Sequence, residues 1–126
     1  MKRDMDIVRH LLMWVESERS HPLPSALSRE DLAYHAQLLI DAGLVEGTVH
    51  YSSRRGRKVP DAFHIQRLTW AGHDFLDAAR DDSVWRTAKE KILKSGVAWT
   101  FELLKDALKT LARQQLARIG LPELHT

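Results

Sequence analysis

Histidines and carboxylates are the residues of this chain that could support acid–base or metal chemistry. Seven His are spread over 126 residues, and there is no Cys. His73, Asp74 and Asp77 resemble an acid–base cluster, but a His beside Asp in the first turns of a helix is usually just solvated. His50 and His64 could face each other across a hairpin, yet no third ligand follows at a fixed spacing. We therefore expect no catalytic residue, no metal, no cofactor and no enzyme activity.

The densest charge is a short basic segment, RRGRK at 54–58. It contributes Arg54, Arg55, Arg57 and Lys58 to a chain whose net charge is only +2. At the tip of a hairpin, such side chains typically contact phosphates or enter a minor groove. The same composition also suits a solvated tip that protects a sheet edge. The sequence leaves both interpretations open.

The composition also bears on the compartment. The absence of Cys fits a reducing environment and excludes disulfides, zinc–thiolate sites and a Cys nucleophile. No apolar run approaches the roughly 18 residues of a membrane span. The first ten residues mix acids with bases and do not resemble a secretion signal. We therefore expect a cytoplasmic protein without a membrane partner.

The elements that must position these residues begin with two helices. Asp4 can cap a first helix that should end near Arg19. Two prolines then break the chain, and a short extended piece is expected at Ala26 and Leu27. Ser28, with Asp31 three residues later, predicts a capping box, and Gly43 is the natural residue to end the second helix.

This second helix, residues 28–42, lies where a recognition helix would lie. Its buried stripe should be Leu32, Ala36, Leu39 and Ile40. Its outward positions should include Arg29, Glu30, Tyr34, His35, Gln37, Leu38 and Asp41. Tyr34 and Gln37 are the candidate contacts to bases or phosphates. However, the carboxylates of Glu30, Asp31 and Asp41 on this helix would repel the phosphates of a nucleic acid.

Two β-rich runs follow, LVEGTVHY and DAFHIQRLT, and together they predict a hairpin around the basic segment. Strict alternation in the second run would place Phe63, Ile65 and Arg67 on one face. His64, Gln66 and Leu68 would then lie on the other face.

Three further helices are predicted, capped by Thr69, Ser83 and Thr100. Trp70 and Trp85 should be buried between the core and the C-terminal helices. The apolar stripe from Phe101 to Ile119 is too extended to leave in water. It should dock on the protein's own core near Trp85 and Ile92, or form a homodimer seam.

The order of these elements predicts an α+β, mostly helical fold. A winged-helix-like core should occupy residues 1–80, with the hairpin as its wing. A two-helix extension, residues 81–126, should pack on that core. The short helix that usually precedes a recognition helix has no counterpart, because SHPLPSAL contains two prolines.

Three segments resemble a known family: MKRDMDIVRHLL at the start, YHAQLLIDAGLVEG at 34–47 and RLTWAGHDFLDAARDDSVWRTAKEK at 67–91. The family comprises small uncharacterised bacterial and prophage-borne proteins, a domain of unknown function. The resemblance covers nearly the whole chain. It implies a winged-helix-like fold and frequent residence in phages or mobile elements, and it supplies no established catalytic residues.

Two functions remain open at this point. The first is a small DNA-binding regulator from a phage or mobile element, with Arg54, Arg55, Arg57 and Lys58 on phosphates and Tyr34 and Gln37 near the groove. The second is a protein-interaction module that binds a host, phage or defence protein. The acidic helix 28–42 and the acidic stretch 74–82 motivate the second function.

Overall fold

The computed structural model describes residues 2–51, 60–95 and 101–118. These ranges contain five helices and one two-stranded antiparallel sheet, which confirms the α+β, mostly helical prediction. In chain order the elements are α1 Met5–Glu16, α2 Arg29–Asp41, β1 Val45–Tyr51, β2 Pro60–Leu68, α3 Trp70–Ala79, α4 Asp82–Ser95 and α5 Phe101–Arg118. The chain divides into two compact units, Met1–Leu76 and Asp77–Thr126. The predicted boundary at residue 80 and the docking of the extension stay predictions.

Helix α1 begins where the sequence predicts and ends earlier. The Asp4 carboxylate accepts from the N–H of Asp6 at 2.9 Å, so Asp4 is the N-cap. The helix ends at Glu16 rather than near Arg19, because Glu18 and Arg19 both have positive φ, 55° and 71°. Its buried apolar residues are Met5, Ile7, Val8, Leu11 and Leu12.

Residues 17–28 connect α1 to α2 and contain neither helix nor strand. The prediction of an extended piece at Ala26 and Leu27 is wrong. The N–H of Leu27 donates to the carbonyl of Pro24 at 3.3 Å, which closes a turn instead. The short helix that normally precedes a recognition helix is therefore absent from this connection.

Both ends of α2 carry the signals that the sequence predicts. The hydroxyl of Ser28 accepts from the N–H of Asp31 at 3.0 Å, and the Asp31 carboxylate accepts from the N–H of Ser28 at 3.3 Å. At the other end Gly43 adopts φ +74°. The N–H groups of Gly43 and Leu44 donate back into the last turn, to Ile40 and Leu39, each at 3.0 Å.

A bulge changes which residues of the hairpin are buried. Glu46 pairs with Arg67 and Gly47 with Ile65, so Gln66 has no partner on β1. The extra residue reverses the alternation, and Ile65 and Leu68 are both buried. The prediction that they lie on opposite faces is therefore wrong.

The start of α3 is fastened to the end of α2. The Thr69 hydroxyl accepts from the N–H of Gly72 at 3.1 Å, which confirms Thr69 as the cap. The same hydroxyl donates to the carbonyl of Gly43, and the N–H of Thr69 donates to that of Leu44 at 2.9 Å. A Cβ at position 72 would overlap the carbonyl of Leu44, so this junction requires glycine.

Helix α4 has a different cap from the one predicted. The Asp81 carboxylate accepts from the N–H groups of Ser83 and Val84, at 2.9 and 3.0 Å. The Ser83 hydroxyl donates to that same carboxylate at 2.6 Å. Asp81 is therefore the N-cap, and the prediction of Ser83 is wrong because Ser83 already lies inside the helix, which begins at Asp82.

Helices α4 and α5 pack together in the second unit. Leu104 and Leu108 of α5 are fully buried, and α4 buries Val84, Trp85, Ala88 and Ile92. The predicted Thr100 cap and the end of the stripe at Ile119 lie outside the described residues. In the ranges described, no helix combines the length and apolar character needed to cross a membrane.

Candidate functional site

The outward side of α2 carries both residues predicted to contact a ligand. Glu30, Tyr34, Gln37 and Asp41 follow one another at spacings of four, three and four, so they share one face. Asp41 is exposed and the other three are half-buried. The buried residues of the helix include Ala33, Ala36 and Leu39.

A side-chain hydrogen bond joins this face to the hairpin. The amide nitrogen of Gln37 donates to the hydroxyl of Tyr51 at 2.5 Å. Tyr51 is the last residue of β1, and it is exposed and paired with Pro60 of β2. The side of α2 with Tyr34 and Gln37 is therefore continuous with the ends of the two strands.

The predicted phosphate-binding residues Arg54, Arg55, Arg57 and Lys58 lie outside the described residues. The structure does describe the residues on both sides of this segment. Tyr51, at the end of β1, pairs with Pro60, at the start of β2. The eight residues 52–59 that join them contain four bases and no acid. The hairpin thus presents a connection with a high density of positive charge.

The charge on α2 has the opposite sign. Glu30 and Asp41 lie on the same side as Tyr34 and Gln37, and none of these four residues is basic. Carboxylates there would repel the phosphates that line a major groove. This face suits a polar or basic surface better than the backbone of a nucleic acid.

The prediction that His35 points outward is wrong. Its side chain is 1% exposed. The N–H of Asp4 donates to its Nε2 at 2.8 Å, so its proton is on Nδ1, which donates to the carbonyl of Asp31 at 2.7 Å. The Tyr34 ring lies perpendicular to the His35 ring, with 5.2 Å between the ring centroids. His35 therefore links the start of α1 to α2 and is not available to a ligand.

The predicted pairing of His50 with His64 is also wrong. The register places His50 opposite Ala62 and His64 opposite Thr48. Across the residues that the structure describes, no three side chains of the metal-binding types come together. His73 and Asp74 of α3 are both exposed.

Comparison with known proteins gives a family. The sequence profile of the family described as "Hypothetical protein (DUF2513)" matches residues 2–98. This chain belongs to the DUF2513 family. It is also 35% identical over 124 residues to an "Uncharacterized protein" of Haemophilus influenzae, with 93% of this chain and 100% of the relative covered. No solved structure matches the chain.

The DUF2513 match includes every residue of the candidate site. It extends from α1 through α4 and ends before α5. Tyr34, Gln37, the basic segment and the hairpin thus lie in the part of the chain that defines the family. The resemblance inferred from the sequence alone is confirmed.

One tryptophan of this DUF2513 protein contradicts the sequence prediction. Trp70 is 89% exposed and is not the buried anchor that its apolar character predicts, whereas Trp85 is buried. Trp70 and Ala79 are nine positions apart on α3, which is two and a half turns of helix. Because Ala79 is buried with Phe75 and Leu76, Trp70 faces away from them. The periodicity of α3 could have revealed this.

Proposed function

We propose that this DUF2513 protein is a small, non-enzymatic, winged-helix-like protein that binds DNA through the basic connection of its hairpin. One observation carries the proposal. The connection between the paired residues Tyr51 and Pro60 holds four bases and no acid within eight residues. Basic side chains concentrated in this way bind phosphates and release counterions.

The order of the elements supports the same proposal. A helix, an antiparallel hairpin and a second helix follow each other as α2, β1, β2 and α3, as in a winged helix. The connection 17–28 lacks the helix that would complete a helix-turn-helix. In the proposal, the hairpin therefore contributes most of the affinity. Tyr34 and Gln37 lie beside it as candidate contacts to base edges, and the carboxylates of Glu30 and Asp41 limit how much this face of α2 adds to the affinity.

A salt titration tests this proposal directly. We expect a fluorescein-labelled DNA duplex to bind at low salt, with log K falling linearly as log salt rises. Replacing Arg54, Arg55, Arg57 and Lys58 by Ala should reduce that slope by about one unit for each phosphate that is no longer neutralised. Fluorescence anisotropy at several salt concentrations measures both quantities.

The matched control removes the same charge elsewhere. Arg86, Lys91, Lys94 and Arg113 are exposed bases of the second unit. Their fourfold Ala variant should retain most of the affinity and slope. Equal losses of affinity in the two variants would mean that binding follows net charge and not the hairpin. No binding by the wild type at low salt would refute the proposal.

Tyr34 and Gln37 require a separate measurement, because residues that touch base edges do not neutralise phosphates. Replacing both by Ala should weaken binding while leaving the salt slope unchanged. The variant must fold normally, which circular dichroism checks. An unchanged affinity would remove α2 from the proposed interface and leave the hairpin alone.

A second candidate function is protein interaction. It is favoured by Glu30 and Asp41, which make the outward face of α2 unsuitable for phosphates. A partner from a host, phage or defence system would fit the residence in mobile elements that the family resemblance implies. Failure of the duplex titration, together with capture of a single protein by the wild type that Glu30→Lys and Asp41→Lys abolish, would favour this function.

A further inference from the structure

The outer edge of β1 has no strand beside it within the residues that the structure describes. The sheet there consists of β1 and β2, and helix α2 contacts both strands, so it lies across one face of the sheet. In the same part of the chain, the backbone groups of β1 make no hydrogen bond outside the hairpin. An edge of this kind offers its N–H and C=O groups to another strand.

The hydrogen bonds of the hairpin show which backbone groups lie on this edge. The N–H of Thr69 donates to the carbonyl of Leu44 at 2.9 Å, so that carbonyl points toward β2. Backbone direction alternates along a strand with a period of two. The residues of β1 whose backbone groups point away from β2 are therefore Val45, Gly47, Val49 and Tyr51. The carbonyl of Ile65, opposite Gly47, fits this alternation because it points away from β1 and accepts from Arg19.

The outer edge of β2, by contrast, is protected. The Arg19 guanidinium donates to the carbonyl of Ile65 at 3.3 Å and lies 5.2 Å from the centroid of the Trp14 ring. The two register shifts of the hairpin leave Asp61 and Gln66, both on β2, without a partner. Bulges and charged side chains are the usual protection of a sheet edge. Strand β1 has no unpaired residue and contains no Lys, Arg or Pro.

We propose that the free edge of β1 pairs with β1 of a second copy of the chain, antiparallel, with a two-fold axis at Thr48. In this register all seven residues of each strand are paired. Val45 faces Tyr51 of the second copy, and Gly47 faces Val49 of the second copy. These are the residues whose backbone groups point outward, so about eight backbone hydrogen bonds form. The two hairpins become one four-stranded sheet.

The side chains on the exposed face of β1 favour this register. Glu46 lies opposite His50 of the second copy, and Thr48 lies opposite Thr48. A carboxylate facing an imidazole and two facing hydroxyls are both stabilising cross-strand pairs. Arg67 donates to both oxygens of Glu46, at 2.8 and 2.9 Å, and so holds the carboxylate on this face. A shift by two residues would place Glu46 or His50 opposite Thr48 and would shorten the overlap.

The charge of the chain favours an antiparallel copy over other occupants of the edge. Each basic connection, residues 52–59, follows Tyr51, and antiparallel pairing places the two Tyr51 residues about 20 Å apart, at opposite ends of the joined strands. Parallel pairing would bring the two basic connections together. A strand of another protein would have to supply complements to Glu46 and His50, which a second β1 already contains.

Cysteine cross-linking tests the register, because the chain has no Cys of its own. In Thr48→Cys the two thiols face each other in a non-hydrogen-bonded pair, with Cα atoms about 4.5 Å apart, which a disulfide can span. In His50→Cys the two positions are four residues apart along the joined strands, about 14 Å, which is too far. We expect Thr48→Cys to form a covalent dimer about tenfold faster or more under mild oxidation, measured by non-reducing electrophoresis.

A mixture of variants sharpens this test. Glu46→Cys and His50→Cys should each stay monomeric on the gel when oxidised alone. An equimolar mixture of the two should form a disulfide, because position 46 of one copy lies opposite position 50 of the other. His64→Cys is the control on β2, where the exposed His64 pairs with Thr48 inside the hairpin, and it should not cross-link.

Sedimentation equilibrium of the full-length protein at several concentrations measures the association itself. We expect a reversible dimer. Thr48→Lys places two like charges at the axis and should weaken dimerisation about tenfold or more. His64→Lys adds the same charge to the exposed face of β2 and should leave the dimer unchanged. Circular dichroism verifies that both variants are folded.

Four results would overturn the proposal. The first is a wild type that stays monomeric at every concentration, and the second is equal cross-linking of Thr48→Cys and His50→Cys. The third is a dimer that survives Thr48→Lys but is lost on truncation after Gly96, which would assign association to α5. The fourth is cross-linking of Thr48→Cys to another protein in a cell extract and not to itself, which would assign the edge to a partner strand. None of these depends on whether the hairpin binds DNA.

Discussion

His35 and His10 show how differently two histidines of one unit are used. His35 is enclosed because the backbone of α1 and the backbone of α2 satisfy both of its ring nitrogens. His10 is half-buried and stacks on His21, with 5.8 Å between ring centroids and 22° between ring planes. Its Nδ1 is buried without a hydrogen-bond partner. One ring therefore stabilises the fold through hydrogen bonds, and the other is sensitive to protonation.

Replacing His35 by Phe tests whether the two hydrogen bonds of its ring stabilise the fold. The substitution keeps a ring of similar volume but removes the acceptor of the Asp4 N–H and the donor to the Asp31 carbonyl. We expect a loss of about 1–3 kcal/mol in the free energy of unfolding, measured by urea denaturation. The exposed His64 is the control, and His64→Ala should change stability by less than about 0.5 kcal/mol. If His35→Phe left the free energy of unfolding unchanged, the two hydrogen bonds would contribute nothing to stability.

The pKa of His10 is lowered, first by burial and then by the nearby positive charges of His21 and Arg9. Asp6 and Asp4 oppose this effect without cancelling it. The folded protein therefore binds a proton at His10 less readily than the unfolded chain. The contribution of His10 to stability is present above the ordinary histidine pKa of about 6.5 and is lost as the pH falls toward the lowered value.

Because the pKa of His10 is lowered in the folded protein, the stability of the protein should depend on pH. The unfolding temperature of the wild type should fall between pH 7.5 and pH 5.5, and that of His10→Gln should fall less. Thermal unfolding followed by circular dichroism at the two pH values measures the difference. Parallel losses in the two proteins would assign the effect to other groups.

At the scale of elements, the ends of helices are controlled by single side chains. Ser28, Gly43 and Thr69 act as their local sequence predicts. Helix α4 differs because two adjacent candidates, Asp81 and Ser83, compete for the same role. The carboxylate is the acceptor for two N–H groups and for the serine hydroxyl, so it prevails.

The two candidates of α4 can be distinguished by parallel substitution. Asp81→Ala should cost about 1 kcal/mol, within the range of about 0.5–2 kcal/mol for the loss of an N-cap. Ser83→Ala removes only a donor to Asp81 and should cost clearly less. Urea denaturation of both variants provides the comparison. If Ser83→Ala were the more damaging substitution, the assignment of the cap would have to be reversed.

At the scale of the whole molecule, the chain forms two compact units. Helix α5 belongs to the second, where Leu104 and Leu108 are fully buried. Each buried leucine contributes roughly 1.5–3 kcal/mol before entropic costs. Helix α5 is therefore unlike a helix that could remain in water alone.

Truncation after Gly96 tests the role of α5. We expect a lower unfolding temperature and a red shift of tryptophan emission, because Trp85 should become hydrated. Truncation after Arg118 is the control and should leave both unchanged. The number of chains per particle in solution distinguishes docking within one chain from the proposed dimer seam. If α5 forms that seam, truncation should convert a dimer into a monomer. If truncation after Gly96 changed neither the unfolding temperature nor the number of chains per particle in solution, α5 would have neither role.

Features that depend on a few adjacent residues could be predicted from the amino-acid sequence. The capping box of Ser28 and Asp31, the left-handed Gly43 and the Thr69 cap all involve groups within about one helical turn. The hairpin and the class of the fold followed from the period of the apolar residues. The family resemblance rested on short segments and was confirmed over residues 2–98.

Features that depend on a distant partner could not be predicted in this way, because they require knowledge of how the elements pack. His35 is buried because Asp4, 31 residues away, donates to it. The bulge at Gln66 depends on the register with β1 and reverses which residues of β2 are buried. Apolar character predicts that a side chain prefers burial, but only the arrangement of the elements determines which side chains can be buried together.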